Sequence, residues 1–244
     1  MNTTAGEFCF TAERVILDAE TFTPEQIYNL APQISSLVYA IKIGYCSDLP
    51  DFHLIENLKK AGFKRVWVDH KMITGPGNAG LYAYVAKTAG ADIISVYASG
   101  GAAMMRAVVE NGPKEIVATI LLPTHTEEDV RDIHGNAPDL AVRSLASIAK
   151  GVGVHGLICP NKWLGPLASK EFAKLKLVAS GLVPPQKNLN LPPELSPKSA
   201  ILNGASHLFI TASLVDQTNP RETFSLIEAE ASVARRELLG IKVL

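Results

Sequence analysis

Eight short apolar runs recur along the 244-residue chain, each separated from the next by a helix-like stretch. Most are rich in Val, Ile or Leu and do not alternate cleanly between apolar and polar residues. This pattern is typical of parallel strands that are buried on both faces. We predict strands at residues 14–18, 38–43, 65–69, 92–96, 115–121, 155–159, 176–180 and 207–211.

Capping residues mark the boundaries of the helices between these runs. Thr23 can cap a helix that starts at Pro24, and Gly62 and Gly90 follow the last turns of two others. The three acids at residues 127–129 fit either the first turn of a helix or a solvated loop. We predict helices at residues 24–36, 49–61, 78–89, 102–110, 140–150, 164–175, 197–203 and 220–238.

A strand followed by a helix, repeated eight times, predicts one α/β domain, a (β/α)₈ TIM barrel over residues 1–244. An open doubly wound sheet is the alternative, but no glycine-rich dinucleotide motif follows the first strand. One long irregular segment, residues 183–196, contains four prolines and follows the seventh strand. It is either a mobile lid or a surface loop, and we favour a lid because barrel chemistry occurs on that face.

The charge balance bears on two classes of partner, nucleic acid and membranes. Lysine and arginine (23 residues) nearly balance aspartate and glutamate (24 residues), which gives a net charge of −1 and a pI of about 6.6. Nothing in this balance favours nucleic acid or an anionic membrane surface, and we expect neither as a partner.

The cysteines and the N-terminus favour a cytoplasmic protein. Cys9, Cys46 and Cys159 are far apart and lack metal-ligand spacing, so we expect reduced thiols. The first ten residues lack the pattern of a signal peptide, and no apolar run approaches the roughly 18 residues needed to cross a bilayer. With 47% hydrophobic and 19% charged residues, the chain can form a large core and an oligomer interface.

The third predicted strand ends in a charged pair. In the segment VWVDHK, an apolar run is followed by Asp69 and, two residues later, by Lys71. Side chains alternate along a strand, so Asp69 and Lys71 should project together while His70 points towards the helices. A carboxylate and an ammonium held side by side can act as a coupled proton-transfer unit. The alternative is an ordinary ion pair that caps the strand.

Charged residues also end the first two predicted strands. Asp18 and Glu20 follow strand one, and Lys42 ends strand two. Because barrel active sites lie at the C-terminal ends of the strands, three adjacent strands would bring acid, lysine, acid and lysine to one mouth. Such an alternation in an otherwise apolar barrel indicates a functional site.

These residues resemble those of the orotidine 5′-monophosphate decarboxylase family. The resemblance extends over nearly the whole chain, from VILDAE through AIKIG, VDHK, YASGGAAMM, GVHGLIC and VASGLVPPQ to NGASHLFITASLVDQTNP. Lys42, Asp69 and Lys71 match the family's lysine after strand two and its Asp-x-Lys motif after strand three. Glu20 stands where the family has an aspartate. Lys42 favours the orotidylate branch, since the Mg²⁺-dependent sugar-phosphate branch of the superfamily usually has a glutamate there.

The resemblance implies a homodimeric carboxy-lyase that needs no cofactor or metal and acts on a nucleotide-like carboxylate. Asp69 would repel the substrate carboxylate, and Lys71 would stabilise and then protonate the carbanion left by CO₂. Lys42 and Glu20 would hold the ribose hydroxyls and keep Asp69 and Lys71 oriented. A purely structural role for Lys42 is the alternative.

Several family positions that bind substrate carry other residues here. Thr74 replaces the second aspartate of the strand-three motif, and Ala212 replaces an arginine that binds phosphate through two hydrogen bonds. Backbone amides near Gly181 and of residues 211–213 could form an anion site instead, and Lys187 could supply a cation. The expected substrate contacts are Asp18, Glu20, Thr74, Thr124, Gly181, Gln186, Thr211, Ala212 and Ser213.

Three hypotheses for the function stay open at this point. The first is decarboxylation of orotidine 5′-monophosphate or of a related nucleotide or nucleoside carboxylate. The second is a different lyase or isomerase reaction on a sugar phosphate, which Mg²⁺-dependent activity would support. The third is a barrel that binds a nucleotide or a partner without turnover, because lost phosphate contacts should weaken catalysis as well as binding.

Overall fold

Eight parallel strands close into a barrel in the computed structural model, which describes residues 10–44, 52–70, 72–186, 192–215 and 218–240. Each strand pairs with the next in sequence, and the last pairs with the first, so the sheet has no free edge. The strands are β1 (Val15–Asp18), β2 (Ala40–Gly44), β3 (Val66–Asp69), β4 (Ile93–Tyr97), β5 (Glu115–Thr119), β6 (Gly156–Pro160), β7 (Lys176–Leu182) and β8 (His207–Thr211).

Helices surround the barrel and pack their apolar faces on it. The α-helices in the described ranges are α1 (Phe10–Arg14), α2 (Pro24–Ile34), α3 (Phe52–Lys60), α4 (Pro76–Thr88), α5 (Gly101–Asn111), α6 (Glu127–His134), α7 (Pro138–Val152), α8 (Pro197–Leu202) and α9 (Pro220–Leu238). Short 3₁₀ turns lie at Ala98–Gly100, Asn161–Trp163, Gly165–Leu167, Pro193–Leu195 and Ala212–Leu214. None of the helices within these ranges has the length and apolarity required to cross a bilayer.

All eight predicted strands are confirmed, with every end within two residues of its predicted position, and so is the barrel. The predicted capping also holds. Thr23 accepts a hydrogen bond from the backbone of Gln26, and Pro24 is the first helical residue. Gly62 and Gly90 take positive φ angles of 102° and 93° after their helices, a conformation that glycine adopts without strain.

The predicted helix at residues 164–175 is wrong. The chain there forms 3₁₀ turns, and Ala168 leaves the helical region with ψ of 52°. These turns bury Leu167 and Phe172 completely, so tertiary packing overrides a weak helical pattern. The acidic residues 127–129, in contrast, do start a helix, α6, which Thr126 and Asp129 cap reciprocally.

The barrel interior is filled by its own set of apolar side chains. Trp67 is fully buried there and lies against Phe209, with ring centroids 5.1 Å apart. Seven further buried residues complete this cluster, namely Ile16, Tyr39, Ala40, Ile93, Val117, Ile158 and Val178. The cluster closes the barrel below the strand ends, so the cavity at the mouth has a solid base.

Strand register brings the charged residues together at that mouth. Asp18 pairs with Lys42 across β1 and β2, and Gly44 pairs with Asp69 across β2 and β3. The stagger of barrel strands therefore lifts Asp69 above the level of its neighbour's lysine backbone. The Lys42 side chain, which starts from β2, is long enough to reach the level of Asp69.

The ends of the predicted lid segment are fixed to each other. Val183 donates a backbone hydrogen bond to Leu195 at 2.9 Å, and Asn161 donates its side-chain amide to the carbonyl of Glu194 at 2.9 Å. Residues 187–191 lie outside the described ranges. Movement of residues 183–196 as a lid therefore stays a prediction.

We predict that His207 makes the fold acid-sensitive. Burial is the largest influence that lowers the pKa of His207, and Lys176, Arg14 and Arg65 lower it further, to about 3. An unfolded histidine takes up a proton near pH 6.5, whereas the folded protein does not. Stability contributed by neutral His207 is therefore complete above about pH 6.5 and is lost as the pH falls towards 3.

The measurement is the free energy of unfolding in urea between pH 7 and pH 4 for the wild type and His207→Phe. The variant keeps a ring against Tyr39, whose centroid lies 4.7 Å from that of His207, but cannot be protonated. We expect it to lose about 1–3 kcal/mol less than the wild type over this range. Parallel losses in the two proteins would contradict the assignment to His207.

Candidate functional site

A cavity of about 330 Å³ lies at the C-terminal ends of the strands. One side is charged and the other is apolar, a combination that suits a ligand with both an ionic group and a flat ring. Its walls are formed by Asp18, Glu20, Lys42, Asp69, Tyr97, Thr119, Leu121, Leu122, Pro123, Ile158, Ser180, Gly181, Phe209 and Thr211.

Lys42 is the centre of the charged side. Its Nζ lies 2.7 Å from Asp69 Oδ2 and 3.2 Å from both Asp18 Oδ2 and Glu20 Oε2. The end of β1 and the turn after it thus supply two carboxylates to one ammonium group, and the end of β3 supplies the third. Because the ammonium comes from β2 and its partners from the ends of the neighbouring strands β1 and β3, the barrel strands largely fix its position.

Lys42 keeps its charge although it is only 4% exposed. Burial alone lowers the pKa of its ammonium, but Asp69 and then Asp18 outweigh burial and raise the pKa above its usual value. The ammonium also lies 5.4 Å from the ring centroid of Phe209, within range of a cation–π attraction.

Asp69 is held through both of its oxygens. Oδ2 accepts from Lys42, and Oδ1 accepts a short hydrogen bond from the Ser95 hydroxyl. Ser95 is 1% exposed in β4, two residues before Tyr97, so both point into the barrel. Ser95 is a site residue that was not predicted from the sequence. A serine at an inward position of an otherwise apolar strand was the available signal.

Asp18 lies in an environment that disfavours its charge. Burial raises the pKa of its carboxyl group, and Lys42, the next largest influence, only partly opposes that effect. Its Oδ1 accepts a hydrogen bond from the Glu20 backbone at 3.2 Å, which fixes the turn that carries Glu20. The mouth therefore concentrates negative charge around a single described ammonium.

Gly44 makes room for Glu20. A Cβ atom at Gly44 would overlap Glu20 Cγ and would lie 2.9 Å from Glu20 Oε1. The glycine of the AIKIG segment therefore allows the Glu20 side chain to pass over the end of β2 and reach Lys42. Any larger residue would displace that carboxylate.

Tyr97 adds a hydroxyl group to the cavity. Burial, followed by the nearby charges of Asp69 and Glu20, raises the pKa of its phenol, so the group stays protonated at neutral pH. The phenol can therefore donate a hydrogen bond to a ligand that enters the cavity.

The cavity contains six of the residues predicted from the sequence, Asp18, Glu20, Lys42, Asp69, Gly181 and Thr211. Lys71 and Lys187 lie outside the described residues. Thr124 is exposed next to Pro123, and Thr74 is half-buried with its backbone amide donating to Met104 Sδ at 3.4 Å. His70 packs on Tyr82 of α4, with ring centroids 4.4 Å apart, as predicted from strand alternation.

A second cavity, of about 450 Å³, lies beside the Ala212–Leu214 turn. Gln186 and Ser213 line it together with the carboxylate-bearing Glu222, and its remaining walls are mostly apolar. Ala212 itself is fully buried. Among the described residues that line the two cavities, Lys42 is the single cationic side chain.

Gly181 forms part of the wall of the mouth cavity. It takes a positive φ of 75° at a register shift in β7, and a Cβ atom there would lie 3.1 Å from Pro123 Cβ. Only glycine fits this bulge without strain. Cys159 of β6 is fully buried, and burial raises the pKa of its thiol.

In the ranges that the structure describes, no group of three or more His, Cys, Asp or Glu side chains is arranged to hold a metal ion. The space between Asp18, Glu20 and Asp69 is taken by the Lys42 ammonium.

The chain is similar in sequence to known decarboxylases. The orotidine 5′-phosphate decarboxylase of Alkalilimnicola ehrlichii is 28% identical over 211 residues, which cover 82% of this chain and 88% of that protein. The enzyme of the same name from Pseudomonas savastanoi pv. phaseolicola is 27% identical over 238 residues, which cover 91% and 98% of the two chains.

Solved structures share the fold. Orotidine 5′-phosphate decarboxylase from Lactobacillus acidophilus superposes with a TM-score of 0.72 at 20% identity and covers 89% of this chain and 98% of its own. An uncharacterised conserved protein from Geobacillus kaustophilus gives a TM-score of 0.69 at 20% identity, with 88% and 99% covered. The sequence model of one family matches residues 13–227, which is most of the sequence. The chain therefore belongs to the orotidine 5′-phosphate decarboxylase / HUMPS family.

Proposed function

We propose that the protein is a carboxy-lyase that removes CO₂ from orotidine 5′-monophosphate or from a closely related nucleotide or nucleoside carboxylate. The observation that carries the proposal is the buried contact between Lys42 and Asp69, 2.7 Å long, at the wall of a partly apolar cavity. A flat pyrimidine fits the apolar side, and its carboxylate can face the charged side.

The proposed reaction breaks the carbon–carbon bond to the carboxylate. CO₂ leaves, and the electron pair on the ring carbon takes a proton from the Lys71 ammonium. Lys71 carries this role through its match to the family motif, two residues after Asp69. The protein's own charges suffice for these steps, so the proposal invokes no cofactor.

In this proposal Asp69 repels the substrate carboxylate, and this repulsion favours the loss of CO₂. Its carboxylate cannot rotate away from the substrate carboxylate because Lys42 holds one oxygen and Ser95 holds the other. Repulsion between the two carboxylates disappears as CO₂ leaves, so it acts on the bound substrate more than on the transition state. Asp18 and Glu20 keep Lys42 in place and can reach ribose hydroxyls.

The end of the site after β8 favours a substrate without a phosphate. A phosphate dianion there would meet the carboxylate of Glu222, with Gln186 and Ser213 as neutral donors. Lys42, the cation described in the cavities, is already surrounded by carboxylates. We therefore place orotidine, or another carboxylate with an uncharged end, ahead of orotidine 5′-monophosphate as the preferred substrate.

We also propose that the protein acts as a cytoplasmic homodimer. Ile73, Leu81 and Tyr84 are 64%, 59% and 56% exposed on α4 and the loop before it. They form an apolar surface next to Thr74 and to the end of β3, which carries Asp69. A second copy that covers this surface would bury it close to the mouth.

The first prediction concerns turnover. Purified protein should remove the ultraviolet absorbance band of orotidine, of orotidine 5′-monophosphate or of both, and Lys71→Ala should lower kcat by at least about 10³-fold because the proton donor is lost. Lys64→Ala, which replaces an exposed lysine outside the mouth cavity, is the matched control and should keep full activity.

A larger kcat/KM for orotidine would support the preference for a substrate without phosphate. Turnover of neither compound at high enzyme concentration would reject the proposed function in favour of a binding barrel. Activity on a sugar phosphate that depends on Mg²⁺ would reject it in favour of a different lyase or isomerase.

A second prediction tests the position of Glu20. Gly44→Ala should displace the Glu20 carboxylate from Lys42 and lower kcat/KM by about tenfold or more, while the melting temperature changes little. Gly151→Ala in α7 is the control, because a Cβ there meets no atom within 4 Å. Equal activity of both variants would show that Glu20 does not matter for catalysis.

A third prediction tests the interface. Leu81→Glu should convert the dimer to a monomer in light scattering, because a charge would be buried in the apolar contact. Leu140→Glu, at a leucine that is 60% exposed on α7, should leave the dimer intact. A wild type that is monomeric at micromolar concentration would overturn the proposed dimer.

A further inference from the structure

We propose that the opposite end of the barrel, at the N-terminal ends of the strands, binds an anion with a chain of phosphates. A cavity of about 820 Å³ opens there, more than twice the volume of the one at the mouth. Its walls come from the starts of β3 to β7 and the loops before them, namely Arg65, Lys87, Ala91, Asp92, Pro113, Lys114, Glu115, Val154, His155, Lys174, Leu175 and Lys176.

The two acids of this cavity are already paired. Glu115 receives the Lys176 ammonium on both carboxylate oxygens at 2.6 Å, and the same ammonium lies 2.6 Å from the Tyr39 hydroxyl. Asp92 pairs with Lys59 at 3.1 Å and also accepts the backbone amide of Val66 at 2.9 Å. Neither carboxylate is therefore available to neutralise further cations.

Four cations are left over. Arg65, Lys87, Lys114 and Lys174 line the cavity, and within the described ranges none of them has a carboxylate partner within 4 Å. Arg65 stacks instead on the Tyr39 ring, with its guanidinium carbon 4.4 Å from the centroid. Since the whole chain has a net charge of −1, this is a strong local excess of positive charge.

The pKa of a buried imidazole close to this cavity, that of His207, is lowered by burial and by nearby cations. His207 packs edge-on against Tyr39, and after burial the largest causes of its lowered pKa are Lys176, Arg14 and Arg65. Three cations near the N-terminal ends of the strands, which we call the floor of the barrel, thus lower the pKa of one imidazole. Arg14, Arg65 and Lys176 lie at or just before the N-terminal ends of β1, β3 and β7, the end of the barrel at which the cavity opens.

The cations fit a ligand with several charges. Lys87, Lys114 and Lys174 are exposed, so water and salt weaken each contact, and a single charge would bind poorly. A triphosphate chain can contact several of them at once, and the planar guanidinium of Arg65 can bind one phosphate through two hydrogen bonds. Apolar wall residues such as Pro113 and Leu175 leave room for an organic group on that chain.

Calorimetric titrations with inorganic triphosphate and with ATP test the site, in about 50 mM salt where screening is moderate. We expect saturable binding with an affinity that falls as salt rises. The triple variant Lys87→Gln, Lys114→Gln and Lys174→Gln should bind at least about tenfold more weakly. A control triple variant, Arg131→Gln, Lys198→Gln and Arg221→Gln, makes the same change in net charge outside this cavity and should bind like the wild type.

Similar affinities for the two ligands would identify the phosphate chain as the group that the protein recognises. Tighter binding of ATP would show that the protein also contacts the organic group. The proposal is overturned if neither ligand binds saturably, or if both triple variants lose affinity equally. It is also overturned if removing the three lysines lowers stability without changing affinity. The lysines would then serve only to neutralise the partial negative charge at helix C-termini such as that of α4.

Discussion

The contact of one lysine with three carboxylates governs the mouth of this barrel. Lys42 is almost completely buried, and a buried ammonium is tolerated only where opposite charges surround it. Asp18, Glu20 and Asp69 meet that need from the ends of β1 and β3. The same contacts hold the three carboxylates in place. The carboxylates that neutralise Lys42 can therefore also act on a bound substrate from fixed positions.

Among the described residues, the side chains that line the two ends of the barrel carry net charges of opposite sign. Carboxylates dominate the mouth around Lys42, whereas cations dominate the floor around the pair of Lys176 and Glu115. Between them, Trp67 and Phe209 belong to an apolar layer that separates the two cavities. Under the two proposals, a substrate carboxylate and a phosphate chain bind at different ends of the molecule.

The barrel and half of the mouth could be predicted from sequence because both follow local rules. Strand runs, caps and the two-residue alternation placed Lys42, Asp69 and His70 correctly. Other features depend on distant contacts. The link from Tyr39 to Lys176 joins residues far apart in the chain, and Ser95 gains its partner only through the stagger of β3 and β4. Residues 164–175 fail as a helix because packing, not propensity, decides their conformation.

The most direct test of the central claim is a double-mutant cycle on Lys42 and Asp69, read as the free energy of unfolding at pH 7. Lys42→Met and Asp69→Asn are compared singly and together, which isolates the energy of the pair. The structure predicts coupling of about 2–4 kcal/mol, since each single variant leaves a buried charge without its main partner. Effects that add to within about 0.5 kcal/mol would show that the two residues do not form one charged unit.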